Sequence, residues 1–134
     1  MSDANKELVR RFYAAQGKGD LAALKEIVTA DFVDHHWVLG MGPGPESAAR
    51  WATEILGSVF GDMEIKHNFM VAEGDMVDCH FALLAKHTGE FAGLGPKGNA
   101  IRCPAISTFR IAGGKLAEAW EIFDSGDLLR QMQQ

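Results

Sequence analysis

Leu8, Val9, Phe12 and Ala15 recur at intervals of three and four residues near the start of the chain, the spacing of a helix with one apolar face. Ser2 or Asp3 can cap this helix, and its expected end is about Gln16, where Gly17 and Gly19 follow. Asp20 can cap a second helix that carries Leu21, Leu24, Ile27 and Val28. Phe32 to Trp37 reads as a short strand. After the loop Met41-Gly-Pro-Gly-Pro45, Pro45 suits the first position of a third helix reaching Val59 or Phe60. Ala48, Trp51, Ala52, Ile55 and Val59 form its apolar stripe.

From Asp62 the period shortens to that of strands. Met63 to Ala72 and Met76 to Phe91 are expected to pair through a turn at Glu73-Gly74, and Ile101 to Ile111 and Leu116 to Asp124 through Ala112-Gly-Gly-Lys115. Three helices and a short strand followed by four long antiparallel strands make an α+β domain. A strongly curved sheet can wrap the helices and leave a pocket between them. With no repeat, linker or low-complexity segment, residues 1–134 are expected to form one domain.

Composition narrows the function classes. The net charge is −5 and the basic residues form no stripe, which argues against a nucleic-acid partner. No apolar run approaches the roughly 20 residues of a membrane helix. The opening MSDANKELVRRFY lacks an apolar signal core, so a cytoplasmic location is expected. Cys79 and Cys103 read as small core residues in a reducing compartment.

Alternation along the last strand places Leu116, Glu118, Trp120, Ile122 and Asp124 on one face. Such a mixture of large apolar groups and two carboxylates suits a ligand pocket. A carboxyl among Trp and Ile loses solvation when ionised, so its pKa rises and it can exchange protons near neutral pH. Asp124 also fits a cap at the strand's end, and Glu118 a structural bond to a neighbouring strand.

The five histidines show no zinc spacing. In Asp31-Phe-Val-Asp-His-His-Trp37, His35 shares a face with Val33 and Trp37, and His36 with Phe32 and Asp34. His80 and His87 should point to opposite faces. A two-residue turn at Glu73-Gly74 would set His67 opposite His80, too few ligands for a dedicated metal site. Tyr13 lies one position from the apolar stripe of the first helix; it can present its hydroxyl at a pocket rim, though packing in the core is the role expected first. Trp51 reads as core or pocket wall.

Several segments together resemble the SnoaL-like polyketide cyclases of the NTF2-like superfamily. They are DFVDHH, GPGPESAARW, FGDMEIKHNFMVAEGDMV, KHTGEFAGLGPKGNAI and TFRIAGGKLAEAWEIFDSGDLLRQM. Their order and spacing fit nearly the whole chain. The resemblance implies a cone-shaped α+β barrel with three N-terminal helices packed on a strongly curved, mostly antiparallel sheet, and a homodimer formed through that sheet. It implies a pocket for a small hydrophobic carbonyl compound, polyketide- or steroid-like, in which a carboxylic acid performs acid/base chemistry with no metal or cofactor. It carries the acid/base aspartate over to Asp124 and the recurrent pocket histidine to His35, with Glu118, Trp120, Trp37, Ile122, Tyr13, Trp51 and His87 expected around the substrate. Lys86, His80 and His36-Trp37 depart from the family pattern at positions expected to face the pocket. The expected reaction is an intramolecular aldol-type cyclisation or a related isomerisation. The alternative is a non-catalytic module that binds a small hydrophobic ligand or dimerises.

Overall fold

The computed structural model describes residues 2–37 and 40–134. Helix α1 spans Ser2–Lys18 and α2 spans Leu21–Ile27, followed directly by strand β1 at Val28–Asp34. Helix α3 covers Pro45–Arg50 and continues as a π-helical turn at Trp51–Ile55 and a 3-10 turn at Leu56–Ser58. Four long strands follow: β2 at Phe60–Glu73, β3 at Met76–His87, β4 at Ala100–Ala112 and β5 at Lys115–Phe123. Helix α4, Ser125–Gln133, closes the chain.

Local chemistry explains most of these limits. Helix α1 continues through Gly17 and turns off at Gly19, whose φ of +64° reverses the chain as a side chain could not readily do. The Asp20 carboxylate accepts from the Ala23 N–H and caps α2 as expected. The third helix keeps its expected stripe but loses regular α geometry at Trp51, and a π turn of this kind commonly marks a functional site. The C-terminal helix α4 is additional to the three helices expected. It starts at Asp124, whose side chain accepts from the Asp127 N–H at 3.0 Å.

The sheet order is β1-β5-β4-β3-β2, with β1 parallel to β5 and every other pair antiparallel. Gly113 and Gly114, both at positive φ, form the two-residue turn between β4 and β5, with Ala112 paired to Lys115. The first hairpin differs from expectation. Its turn is Gly74-Asp75, which pairs Glu73 with Met76 and shifts the whole register. An extra residue at Asn68 then sets His67 opposite Phe81 and Phe69 opposite His80. His67 and His80 therefore lie on opposite faces of the sheet and cannot converge on one ion.

Strand β4 alternates almost perfectly, burying Ile101, Cys103, Ala105, Ser107, Phe109 and Ile111 against the helices. Phe12, Phe32, Leu24, Ile27, Val77 and Phe109 form the main core, while Phe60, Ile101, Leu128 and Met132 form a second cluster beneath α4. Both thiols are free and buried, and burial pushes Cys79 up to about 12 and Cys103 up to about 11. That suits core packing, not nucleophilic work.

The chain bends sharply at Thr88-Gly89, where both N–H groups donate to the Val59 carbonyl. A Cβ on Gly89 would fall 1.7 Å from the Ser58 carbonyl oxygen, which is backbone and cannot step aside. Gly89→Ala is expected to cost about 2–4 kcal/mol and lower the melting temperature by many degrees. Gly95→Ala, where an added Cβ meets nothing within 4 Å, serves as control and should melt with the parent.

Candidate active site

Strand β5 carries one extra residue. Ile111 pairs with Leu116 but Arg110 pairs with Glu118, so Ala117 is a bulge. A bulge reverses the phase of alternation. Leu116 points inward before it, and Ala119, Glu121 and Phe123 point inward after it. Glu118, Trp120 and Ile122 are turned to the outer face, where Ile122 is 78% exposed. The carboxylate aimed at the helices is thus Glu121.

Glu121 meets two polar groups, Ser107 and His36. The Ser107 hydroxyl, directly opposite on β4, donates to Glu121 Oε1 at 2.9 Å. His36 Nε2 lies 2.9 Å from Glu121 Oε2, and His36 Nδ1 bonds the Asp34 carboxylate. The Tyr13 hydroxyl adjoins Ser107. Burial alone would lower the pKa of His36, but its bonds to Asp34 and Glu121, reinforced by their charges, raise it to about 9. His36 is therefore an imidazolium shared by two carboxylates, edge-on against Trp51 at 4.7 Å. Burial, and next the charge of Glu121, hold the Tyr13 phenol well above its ordinary pKa, so it stays a neutral donor.

A cavity of about 730 Å³ opens in front of Glu121. Its walls are mostly apolar, including Trp51, Ile55, Met63, Leu83, Phe91 and Phe123. Tyr13 and His67 are also on the wall, and Glu121 is the one carboxylate there among the described residues. This is the size and character of a small-molecule site.

The expected site residues separate into two groups. Tyr13 and Trp51 line the cavity. His35 lies outside: β1 ends at Asp34, and the turn that follows aims His36, not His35, at the helices. His35 bonds Glu118 at 2.6 Å and stacks on Trp120 at 5.1 Å. Glu118 is held below its usual range by His35 and by Arg110, which bonds it at 3.0 Å, so it is a paired surface carboxylate and not a raised-pKa acid. Trp120 and Ile122 share that outer face because of the bulge. Asp124 is exposed, caps α4, and borders an outer groove beside Ile122 and His80 instead of the large cavity. Trp37 packs edge-on against Phe32 in the core, and His87, wholly buried opposite Phe60, is not on the cavity wall. Strict alternation could not identify Glu121, His36 or Ser107. The adjacent apolar pair Leu116-Ala117, both buried, was the available sign of a bulge.

The family model for SnoaL-like polyketide cyclases matches residues 6–132. IdmH from Streptomyces antibioticus, provisionally named a polyketide cyclase, superposes with a TM-score of 0.81 at 24% identity, covering 97% of this chain and 99% of its own. TsrD from Streptomyces laurentii gives 0.80 at 22% identity, with 98% and 96% covered. A SnoaL-like polyketide cyclase from Agrobacterium tumefaciens gives 0.79 at 11% identity, with 96% and 97% covered. At these identities the structural likeness carries the fold alone. No curated protein matches the sequence.

The His36 ion pairs should be visible in stability. Because the folded pKa of about 9 exceeds the ordinary 6.5, the contribution is complete below pH 6.5, falls between pH 6.5 and 9, and is gone above it. Its ceiling is about 3 kcal/mol. Thermal melts of the parent and of His36→Gln should differ most near pH 6 and converge towards pH 9. A constant gap across that range would remove the imidazolium from the account.

Proposed function

The chain belongs to the SnoaL-like polyketide cyclase family, and from that premise we propose that it catalyses an aldol-type ring closure, or a closely related proton transfer, on a hydrophobic compound with several carbonyls. The observation that carries this reading is Glu121, a lone carboxylate on an otherwise largely apolar wall, held by His36 and Ser107.

Glu121 takes the proton from a carbon flanked by two carbonyls. The enolate carbon attacks a third, more distant carbonyl of the same molecule, a carbon–carbon bond forms as the C=O π bond opens, and the proton passes to the resulting alkoxide oxygen. The neutral Tyr13 hydroxyl is the donor for oxygen on which negative charge develops. His36 sets its positive charge 2.9 Å from the Glu121 carboxylate. When Glu121 is protonated, Asp34 still balances the imidazolium, so the charge rearrangement inside the wall is small. General acid/base help of this type is worth about 10²–10⁴-fold, and the apolar walls add positioning of the two ends of the substrate. The proton is already acidic between carbonyls, so this chemistry suits the residues present.

Assembly follows from the other side of the sheet. Phe69, Val71, Ile106, Trp120 and Ile122 are exposed there, in two rows that also hold His80, Asp78 and Thr108, and large exposed apolar groups gathered on one face suit an interaction surface. In this reading a second copy covers it, making a homodimer through the sheet.

Glu121→Gln should reduce turnover by at least about 100-fold while ligand affinity stays within a few-fold. Asp124→Asn keeps a good N-cap and should retain activity. Loss of activity in Asp124→Asn with full activity in Glu121→Gln would return the role to the aspartate at the end of the last strand. Ligand binding without turnover of any polycarbonyl compound would favour a carrier. Light scattering after size exclusion should give a dimer for the parent and a monomer for Ile122→Arg; a monomeric parent would overturn the assembly.

A further inference from the structure

The polar end of the cavity opposite in character to Glu121 is built on helix α1 and strand β2. Arg10, Tyr13, Ala14 and Gly17 follow one another at helical spacing and all border the cavity. The Tyr13 ring meets the His67 ring edge-on at 5.3 Å, and Arg10 lies one turn before Tyr13. His67 turns Nδ1 to the Cys79 sulfur at 3.3 Å, which leaves Nε2 as its other polar atom. Arg10 is tethered only loosely, to Glu7 three residues earlier at 3.4 Å, and both side chains are about half exposed. Such a pair holds a guanidinium weakly. The chain as a whole carries a net charge of −5, yet the charged groups on the cavity wall other than Glu121 are both cations, Arg10 and Lys18.

Resting on the cyclase reading above, we propose that the substrate of this cavity is an acid, with a carboxylate seated on the Arg10 guanidinium beside His67 and its carbonyl-bearing rings extending towards Glu121. Arg10 is chosen over Lys18 because a guanidinium presents a planar pair of donors that match a carboxylate, and because His67 supplies a further polar group next to it. Lys18 lies eight residues further along α1, about 12 Å away, at the opposite end of the same face. The charge of Arg10 also helps, after burial, to hold the His67 pKa below its ordinary value, so the two groups act as one cation and one neutral imidazole at neutral pH.

The test is calorimetric titration with 3-hydroxy-2-naphthoic acid and with its methyl ester, which share one ring system and differ in charge. At low salt the parent should bind the acid about five- to tenfold tighter than the ester, and added sodium chloride should shrink the gap. Arg10→Met, a helix-compatible change on an exposed side chain, should bring the two affinities together without weakening the ester. An ester bound as tightly as the acid by the parent, a gap that survives in Arg10→Met, or no binding of the acid would each overturn the assignment. Glu121→Gln separates the two readings. An acid preference in a protein whose turnover survives Glu121→Gln supports the acid site while refuting Glu121 as the base. Lost turnover without any acid preference refutes the acid site alone.

Discussion

A carboxylate that faces an apolar cavity is tolerated only if charged or hydrogen-bonding groups meet it, and much of this fold is arranged so that Glu121 is met. Its cation is His36, which comes from the far end of the chain's first strand. For His36 to arrive, β1 must lie beside β5, and the backbone records that placement: the His35 N–H donates to the Ala119 carbonyl. Asp34 supports the other side of the imidazole, and Ser107 reaches Glu121 from the neighbouring strand. Residues 34, 36, 107 and 121 are brought together by the parallel β1–β5 pairing and the antiparallel β4–β5 pairing, two contacts of very different sequence separation.

The bulge at Ala117 is what makes this meeting possible. Without it, Glu118 would point inward among the helices, while Glu121 would stand on the outer face. With it, Glu118 joins Arg110 and His35 in a solvent-facing cluster, and the apolar outer surface gains Trp120 and Ile122. One extra residue thus decides which side chains of β5 face the cavity and which stand on the outer face. The π turn at Trp51 contributes in the same way from the helical side, keeping Trp51, Ala52 and Ile55 on the cavity wall.

Sequence patterning located the first two helices and all five strands to within a few residues, because the apolar periods of α1, β3 and β4 are long and regular. The third helix loses α geometry halfway along its stripe, and α4 was not anticipated. Its cap, Asp124, stands where the last strand hands over to a helix, so the same aspartate could be read as the last strand residue or as the first group of a helix. The structure gives it the second role. Trp51 was legible as core or wall because the third helix presents one apolar stripe, whereas Tyr13, one position off the stripe of α1, belongs both to the core and to the cavity wall. The β5 face was not legible, since alternation counts only while every residue pairs with one residue opposite. The same holds for His67 and His80, which a shifted hairpin register and the extra residue at Asn68 place on opposite faces.

The sequence by itself determined the family, the α+β architecture, the curved antiparallel sheet and the presence of acids and histidines suited to proton transfer. The family follows from the resemblance of motif segments along the chain, and the architecture from local propensity and long periodic segments, which depend on near neighbours. Tertiary structure alone decided that Glu121 faces the cavity with His36 paired to it, while Glu118 and His35 lie on the outer face. The choice rests on bulges, on a strand ending at Asp34 and on a pairing between residues more than eighty positions apart. A single inserted residue reverses every side chain beyond it, and its energetic justification, burying Ala119 while ion-pairing Glu121, exists only once the strands have met.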